Sequence, residues 1–237
     1  VEGDLEIGNS EVIKFTNYTY GHRHYDKKIK IDRISDYQKI LLQNYVILNR
    51  DNRKYKISND LELLLTKNNL LLMDDPILLE EVTGLVEFPN VMLGSISDNF
   101  MFLPPEVLST AMKVHQKYFS TTDSQNNLAP KFIFVANSLS DIKRDATVVE
   151  GNERVLKARL SDANFFWKSD VSKTFEYWND KLKEVVFYEG LGSVYDKTLR
   201  MSEISNFVSN AFNVNPSLAS QTALLSKADL ASEMVGE

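Results

Sequence analysis

KFIFVANSLSDIKRDATVVEGNERVLKARLSDANFFW, residues 131–167, holds the change of character on which the fold turns. Its first eight residues form a short apolar run suited to a buried strand. The next dozen are polar and charged. From Gly151 and Asn152 onward the apolar residues recur at helical spacing, which predicts a helix over about 152–168. Val155, Leu156, Ala163 and Phe166 would face inward, with Arg154, Lys157 and Arg159 off that face. Phe165, Phe166 and Trp167 close the stretch; three aromatics at a helix end pack a core more often than they stack on bases. Residues 138–150 therefore read as a boundary, with a mixed α/β region over 1–140 and an all-helical region over 141–237.

Working outward, EVIKFTNYTY (11–20) is expected to be one strand, with Val12, Phe15 and Tyr18 turned inward. ISDYQKILLQNYVI (34–47) predicts a helix capped by Ser35, with Tyr37, Ile40, Leu41 and Tyr45 at helical spacing. In MDDPILLEEVTGLVEFP (73–89), Asp75 suits an N-cap and Pro76 the first helical position. Glu80 and Glu81 lie near the positive end, and Ile77, Leu78, Val82, Leu85 and Val86 form one apolar stripe. NVMLGSI (90–96) is a short strand. FLPPEVLSTAMKVHQKYF (102–119) starts a helix at its prolines, with His115 closing the apolar face as a hydrogen-bonded core histidine. Beyond residue 140 no strand is expected. Helices are predicted over 171–186, 197–212 and 216–235, the last opened by Asn215-Pro216.

The 237 residues suffice for one large domain or two small ones with a real core. No apolar run approaches the roughly 18 residues of a membrane span. VEGDLEIGNS at the start has neither a basic nor an apolar leader region and is not expected to be a secretory signal. Cysteine is absent, which excludes disulfides, thiol nucleophiles and thiolate metal sites and fits a cytoplasmic protein. The net charge is −6, yet residues 21–56 hold ten Lys/Arg against four Asp. That segment is +6, so the remainder is −12. A local basic patch of this kind attracts nucleic acid even on an acidic chain; a solvated face is the alternative.

Catalytic signatures are missing: there is no GxGxxG, GxxxxGK[ST], HExxH, GxSxG or HD dipeptide. The three histidines are His22, His24 and His115. His22 and His24 alternate on what reads as a strand, too few for a metal site without further ligands. The pairs Asp74-Asp75 and Glu80-Glu81 are accounted for by a helix start. No catalytic residue and no metal ligand is assigned.

Six ordered blocks carry more than anonymous pattern: LLEEVTGLVEFPNVMLGSI (78–96), FLPPEVLSTAMKVHQKYF (102–119), PKFIFVAN (130–137), GNERVLKARLSDANFFWKSD (151–170), LGSVYDKTLRM (191–201) and LLSKADLASEMVGE (224–237). Together they resemble the beta subunit of the bacterial heterotetrameric glycyl-tRNA synthetases, over about residues 10–237. GHR at 21–23 looks like that family's GHRF element, with His24 where the family tends to have phenylalanine.

The resemblance implies a B3/B4-like α/β region running into the start of an HD-like helical domain. Both ends are expected to be cuts in a longer protein. It further implies an aminoacyl-tRNA synthetase, a ligase of protein biosynthesis, in which alpha subunits bind ATP, Mg²⁺ and glycine and beta subunits bind tRNA. No cofactor is expected in this piece. Its expected partners are the alpha subunit, glycine tRNA and a second beta subunit, with no membrane. Candidate phosphate contacts, chosen by charge and position, are Arg23, Lys27, Lys28, Lys30, Arg53 and Lys54 in the basic segment. Lys113 and Lys117 follow, then Arg154, Lys157 and Arg159, for which anchoring neighbouring helices through Asp162 or other carboxylates is the equal alternative. Two other readings stay open. One is an editing hydrolase, because B3/B4-like regions resemble the editing domain of phenylalanyl-tRNA synthetase, although glycine, the smallest amino acid, needs a second sieve least. The other is a purely structural subunit-interface module.

Overall fold

The computed structural model describes residues 4–7, 11–14, 16–24 and 27–236. Two compact units divide the chain, Val1–Ala158 and Arg159–Glu237. The stretch 141–158, grouped by sequence with the helical region, thus packs with the first unit.

The first unit begins with two small antiparallel pairs. β1 (Asp4–Ile7) pairs with β2 (Glu11–Lys14), and β3 (Tyr18–Tyr20) with β4 (Lys28–Lys30). The single strand expected over 11–20 is therefore two strands of different sheets. Phe15 lies outside the described residues, and Tyr18 is exposed. The helix expected over 34–47 is shorter: a 3-10 turn at Ile34–Asp36 leads into α1 (Tyr37–Gln43), and Ser35 does not cap it. The left-handed backbone at Tyr45 (φ 61°) ends that run.

α2 (Arg50–Asn68) has no counterpart in the sequence reading, yet it is one wall of the core. Asn49 caps it by accepting from Asn52 N–H, Asp51 favours its positive end, and left-handed Asn69 stops it. α3 (Pro76–Leu85) starts as its sequence dictates, with the Asp75 carboxylate accepting from Leu78 N–H and Pro76 at the first position. Its buried stripe is narrower than expected. Leu78, Val82 and Val86 face inward, four residues apart, while Ile77 and Leu85 lie in solvent.

These helices pack on a four-stranded antiparallel sheet of β5 (Leu71–Leu72), β6 (Pro89–Ser95), β7 (Phe119–Thr122) and β8 (Leu128–Asn137), in the order β5-β7-β8-β6. Ile57 and Leu61 of α2, Leu78, Val82 and Val86 from α3 and its exit, and Phe119 and Ile133 of the sheet form one cluster. Each such side chain contributes about 1.5–3 kcal/mol on burial.

Between β6 and β7, α4 (Pro105–Thr110) widens into a π-helical turn at Ala111–His115. The wider turn shifts the angular register, so His115 faces solvent and is not the core histidine the 102–119 pattern predicted. α5 (Ile142–Val171) is one helix of 30 residues. The polar stretch 138–150 is mostly helix, and Gly151 and Asn152 sit within it rather than at its start. Leu156, Leu160 and Ala163 are its buried face; Val155 and Phe165 are exposed and Phe166 half-buried.

The second unit is not all-helical. α6 (Phe175–Lys181), capped by Thr174, is followed by a short hairpin of β9 (Val186–Tyr188) and β10 (Gly192–Ser193). Gly190 and Gly192 supply the left-handed backbone the turn requires (φ 80° and 78°). α7 (Val194–Ala211) opens on a capping box in which Ser193 and Asp196 satisfy each other's backbone N–H. α8 (Pro216–Leu225) opens on Asn215, as its Asn-Pro start predicts, but stops at Leu225. A 3-10 turn at Ala228–Ala231 and the short α9 (Glu233–Gly236) follow. The Asp170 carboxylate, buried at the end of α5, accepts from Glu233 and Met234 N–H, 3.0 Å each. Among the described residues no helix is long and apolar enough to cross a membrane.

Gly94 faces Phe132 across β6 and β8, and a Cβ there would lie 2.3 Å from the Phe132 ring. That ring stacks on Tyr118 with centroids 4.7 Å apart. Gly94→Ala is expected to destabilise the first unit by about 1–3 kcal/mol in urea unfolding, as overpacking does. Gly94→Ala with Phe132→Leu should recover part of that loss.

Candidate nucleic-acid interface

The GHR segment is built into a joint. Gly21 passes so close to α1 that a Cβ would lie 2.9 Å from Asn44 Cβ, and His22 N–H donates to Asn44 O at 2.9 Å. The His22 side chain is fully buried (0 % exposed). Its Nε2 donates to Asn137 Oδ1 at 2.9 Å, and its Nδ1 accepts from His24 N–H at 3.4 Å. Asn137 Oδ1 also accepts from Glu87 N–H (2.9 Å) and Phe88 N–H (3.1 Å). One amide oxygen thus ties the histidine, the exit of α3 and the end of β8 together. His22 and His24 lie in a turn after β3, not on a strand. Among the described residues no three His, Asp or Glu side chains assemble into a metal-holding group.

The basic segment divides in two. Arg50, Arg53 and Lys54 of α2 turn toward α3, while Lys56 pairs with Asp60 on its own helix. Arg53 is held internally: its guanidinium donates to Ile47 O (2.6 Å), Leu48 O (2.9 Å) and Thr83 O (3.3 Å). Lys54 and Arg50 both pair with Glu80, the latter at 2.9 Å. Lys113 pairs with Asp75 at 2.5 Å and Lys117 with Glu81 at 2.8 Å. Arg53, Lys54, Lys113 and Lys117 therefore spend their charge on carbonyls and carboxylates around α3.

The remaining candidates sit elsewhere. Arg23 and Lys27 are exposed between β3 and β4, and Lys28 and Lys30 project from β4, with Lys30 bound to Asp32 at 2.9 Å. On α5, Arg154, Lys157 and Arg159 are exposed. The sequence reading did not pick out Tyr18 and Tyr20 as surface groups. Register puts them opposite Lys30 and Lys28, so all four side chains share one sheet face. The period-2 spacing Tyr-x-Tyr followed by Lys-x-Lys is the signal that carries this.

A cleft of about 420 Å³ opens beside α3, lined by residues that include Met73, Asp74, Asp75, Lys113, Tyr118 and Ser120. Burial pushes the Asp75 carboxyl up, but the Lys113 ammonium, Leu78 N–H and Ile77 N–H outweigh it and hold the group below its ordinary 3.8. Burial pushes the Tyr118 phenol up to about 12, and it donates to Asn152 Oδ1. Among the described residues lining the cleft, no hydroxyl is hydrogen-bonded to a histidine or carboxylate.

A sequence model of the family described as glycyl-tRNA synthetase beta subunit matches residues 4–237. The chain is 44% identical over 222 residues to the glycine–tRNA ligase beta subunit of Rickettsia akari, covering 93% of this chain and 33% of that protein. The same figures hold for the Rickettsia bellii protein. The beta subunit of Syntrophomonas wolfei is 42% identical over 238 residues, covering 99% of this chain and 34% of its own. The chain spans about a third of the length of the curated relatives it matches.

Two measurements check the joint and its ion pairs. Asn137→Ala strands three donors at once and should cost about 2–3 kcal/mol in urea unfolding. Asp75 and Glu80 are both held below their ordinary values, Glu80 by Lys54 and then Arg50. The unfolded chain therefore takes up protons first as pH falls. Their contribution is complete above about pH 4.5 and is lost progressively as pH drops past 3.8. Lys113→Met should shrink that acid-sensitive share of the unfolding free energy.

Proposed function

The chain belongs to the glycyl-tRNA synthetase beta subunit family, and on that premise we propose that it is a tRNA-binding and assembly portion of a glycine–tRNA ligase, without an active site of its own. In this reading the mixed α/β portion is the family's B3/B4-like region and the helical portion the start of its HD-like domain. ATP, Mg²⁺ and glycine are handled by an alpha subunit, and the assembly works in the cytoplasm.

The observation that carries the tRNA part is the division of the basic segment. Arg23, Lys27 and Lys28 keep exposed side chains on a hairpin pinned by a fully buried histidine, while Arg50, Arg53 and Lys54 of α2 are absorbed around α3. Cations free to meet phosphate release counterions from it, and absorbed ones do not. Arg154 and Arg159 add exposed charge on α5. The assembly part is supported by α7, where Ile204, Phe207 and Val208 form an exposed apolar stripe. An editing hydrolase is disfavoured because, among the described residues, no hydroxyl of the cleft is hydrogen-bonded to a histidine or carboxylate.

Fluorescence-anisotropy titration of labelled glycine tRNA at about 50 and 200 mM salt tests this. Three phosphate contacts predict a fall in affinity of about 40-fold between the two. Arg23→Glu, Lys27→Glu and Lys28→Glu should each weaken binding and flatten the salt dependence, whereas Lys54→Gln and Lys117→Gln should leave both unchanged. Absence of binding at the lower salt would favour the purely structural role.

A further inference from the structure

We propose that the outward face of the β3–β4 hairpin is a stacking platform for unpaired nucleotides, so that this region grips a single-stranded part of its RNA rather than a duplex. The inference rests on the tRNA-binding reading above and adds the form of RNA that the surface takes.

Four observations carry it. Tyr18 and Tyr20 are 46 % and 57 % exposed, although tyrosine is a residue that usually buries most of its ring. They project from alternate positions of one strand, so they share a face and lie about 7 Å apart. Register sets Lys30 and Lys28 directly opposite them. The Lys28 ammonium lies 4.4 Å from the Tyr18 ring centroid, so the cation and ring already form one surface. The opposite face of the hairpin, carrying Thr19 and Ile29, is half-buried.

Aromatic rings beside cations suit a nucleic-acid strand whose bases are free. Each base stacks on a ring while its phosphate meets a cation. A duplex hides its base faces inside its own stack and offers mainly backbone and groove edges. The roughly 7 Å between the tyrosines is about twice the 3.4 Å rise per strand residue of a stacked helix. Successive bases that have come apart fit that spacing; stacked ones do not.

The platform is also held in place before binding. Gly21 and His22, which continue directly from β3, are locked to Asn44 and Asn137. Arg23 and Lys27 flank the strand ends and extend the positive surface. A surface ordered in advance spares the ordering cost that a mobile loop would bear on binding.

The test uses this chain with three probes: labelled glycine tRNA, an unstructured RNA of about eight nucleotides, and a blunt RNA hairpin duplex. Tyr18→Ala/Tyr20→Ala is compared with Lys27→Glu/Lys28→Glu, and thermal melting confirms that each variant folds. The platform predicts that the tyrosine pair weakens single-strand binding about tenfold or more, leaves the salt slope unchanged and spares the duplex. Tyr18→Phe/Tyr20→Phe should restore binding, because the ring and not the hydroxyl does the stacking. If the lysine variant weakens tRNA binding and the tyrosine variant does not, the surface meets phosphate only. The platform is then overturned and the tRNA-binding reading stands. Equal losses on single strand and duplex overturn the platform likewise. If none of the three probes binds at about 50 mM salt, both readings fail.

Discussion

The first unit depends on a single amide oxygen. Asn137 Oδ1 stands at the end of β8 and takes hydrogen bonds from His22, Glu87 and Phe88. Those donors come from two separate pieces of chain: the turn after β3 and the loop that joins α3 to β6. A donor buried without a partner costs about as much as a lost hydrogen bond, so both pieces are drawn to one point. With β8 fixed by its ladder to β6, the position of that oxygen is set by the sheet. The hairpin that carries the exposed tyrosines and lysines is thereby referred to the core, although its two short strands would be marginal alone.

Charge is used on two different terms in this chain. The helix α3 carries Asp75, Glu80 and Glu81 along its outer surface, and they meet Lys113, Lys54, Arg50 and Lys117. Among the described residues Arg53 pairs with no carboxylate; it gathers carbonyls from the residues before α2 and from α3, a role its planar fork of donors suits. Counting residues along the sequence assigns +6 to one segment, but folding distributes that charge unequally. The segment has an inner group of cations that hold helices together and an outer group that faces solvent.

What was legible in the sequence had local chemistry behind it. Asp75-Pro76 and Asn215-Pro216 begin helices because cap and proline act within one turn. KFIFVAN is a strand because its apolar run is covered on both faces. The mixture of α and β, and the family itself, were readable from six blocks of sequence. What was missed lay in patterns that mislead. α2 is rich in Arg, Lys, Asp and Asn through its first half, and Ile57 and Leu61 are its only fully buried side chains among the described residues. Its caps, Asn49 and Asn69, were the available signal. The start of α5 resembled a linker because its polar residues are tied down individually: Asp145 accepts from Asn90, Ser140 and Asp141 N–H. The β9–β10 hairpin is too short for alternation to show, and only its two glycines announced it. For the candidate interface, charge counting treats Lys27, Lys28, Arg53 and Lys54 alike, whereas folding leaves the first two exposed and engages the last two internally; the tyrosines beside the lysines required knowledge of register.

Asp170 bears on the order in which the second unit can be made. Its carboxylate is buried at the end of α5, and the groups that satisfy it are backbone N–H donors 63 and 64 residues later. A chain leaving the ribosome presents Asp170 long before Glu233 and Met234. Until they arrive, the charge has to stay hydrated, because a carboxylate buried without partners is strongly unfavourable. The end of α5 therefore stays open to water until the turn that starts α9 docks upon it. A ribosome paused between these positions would hold the end of α5 uncovered.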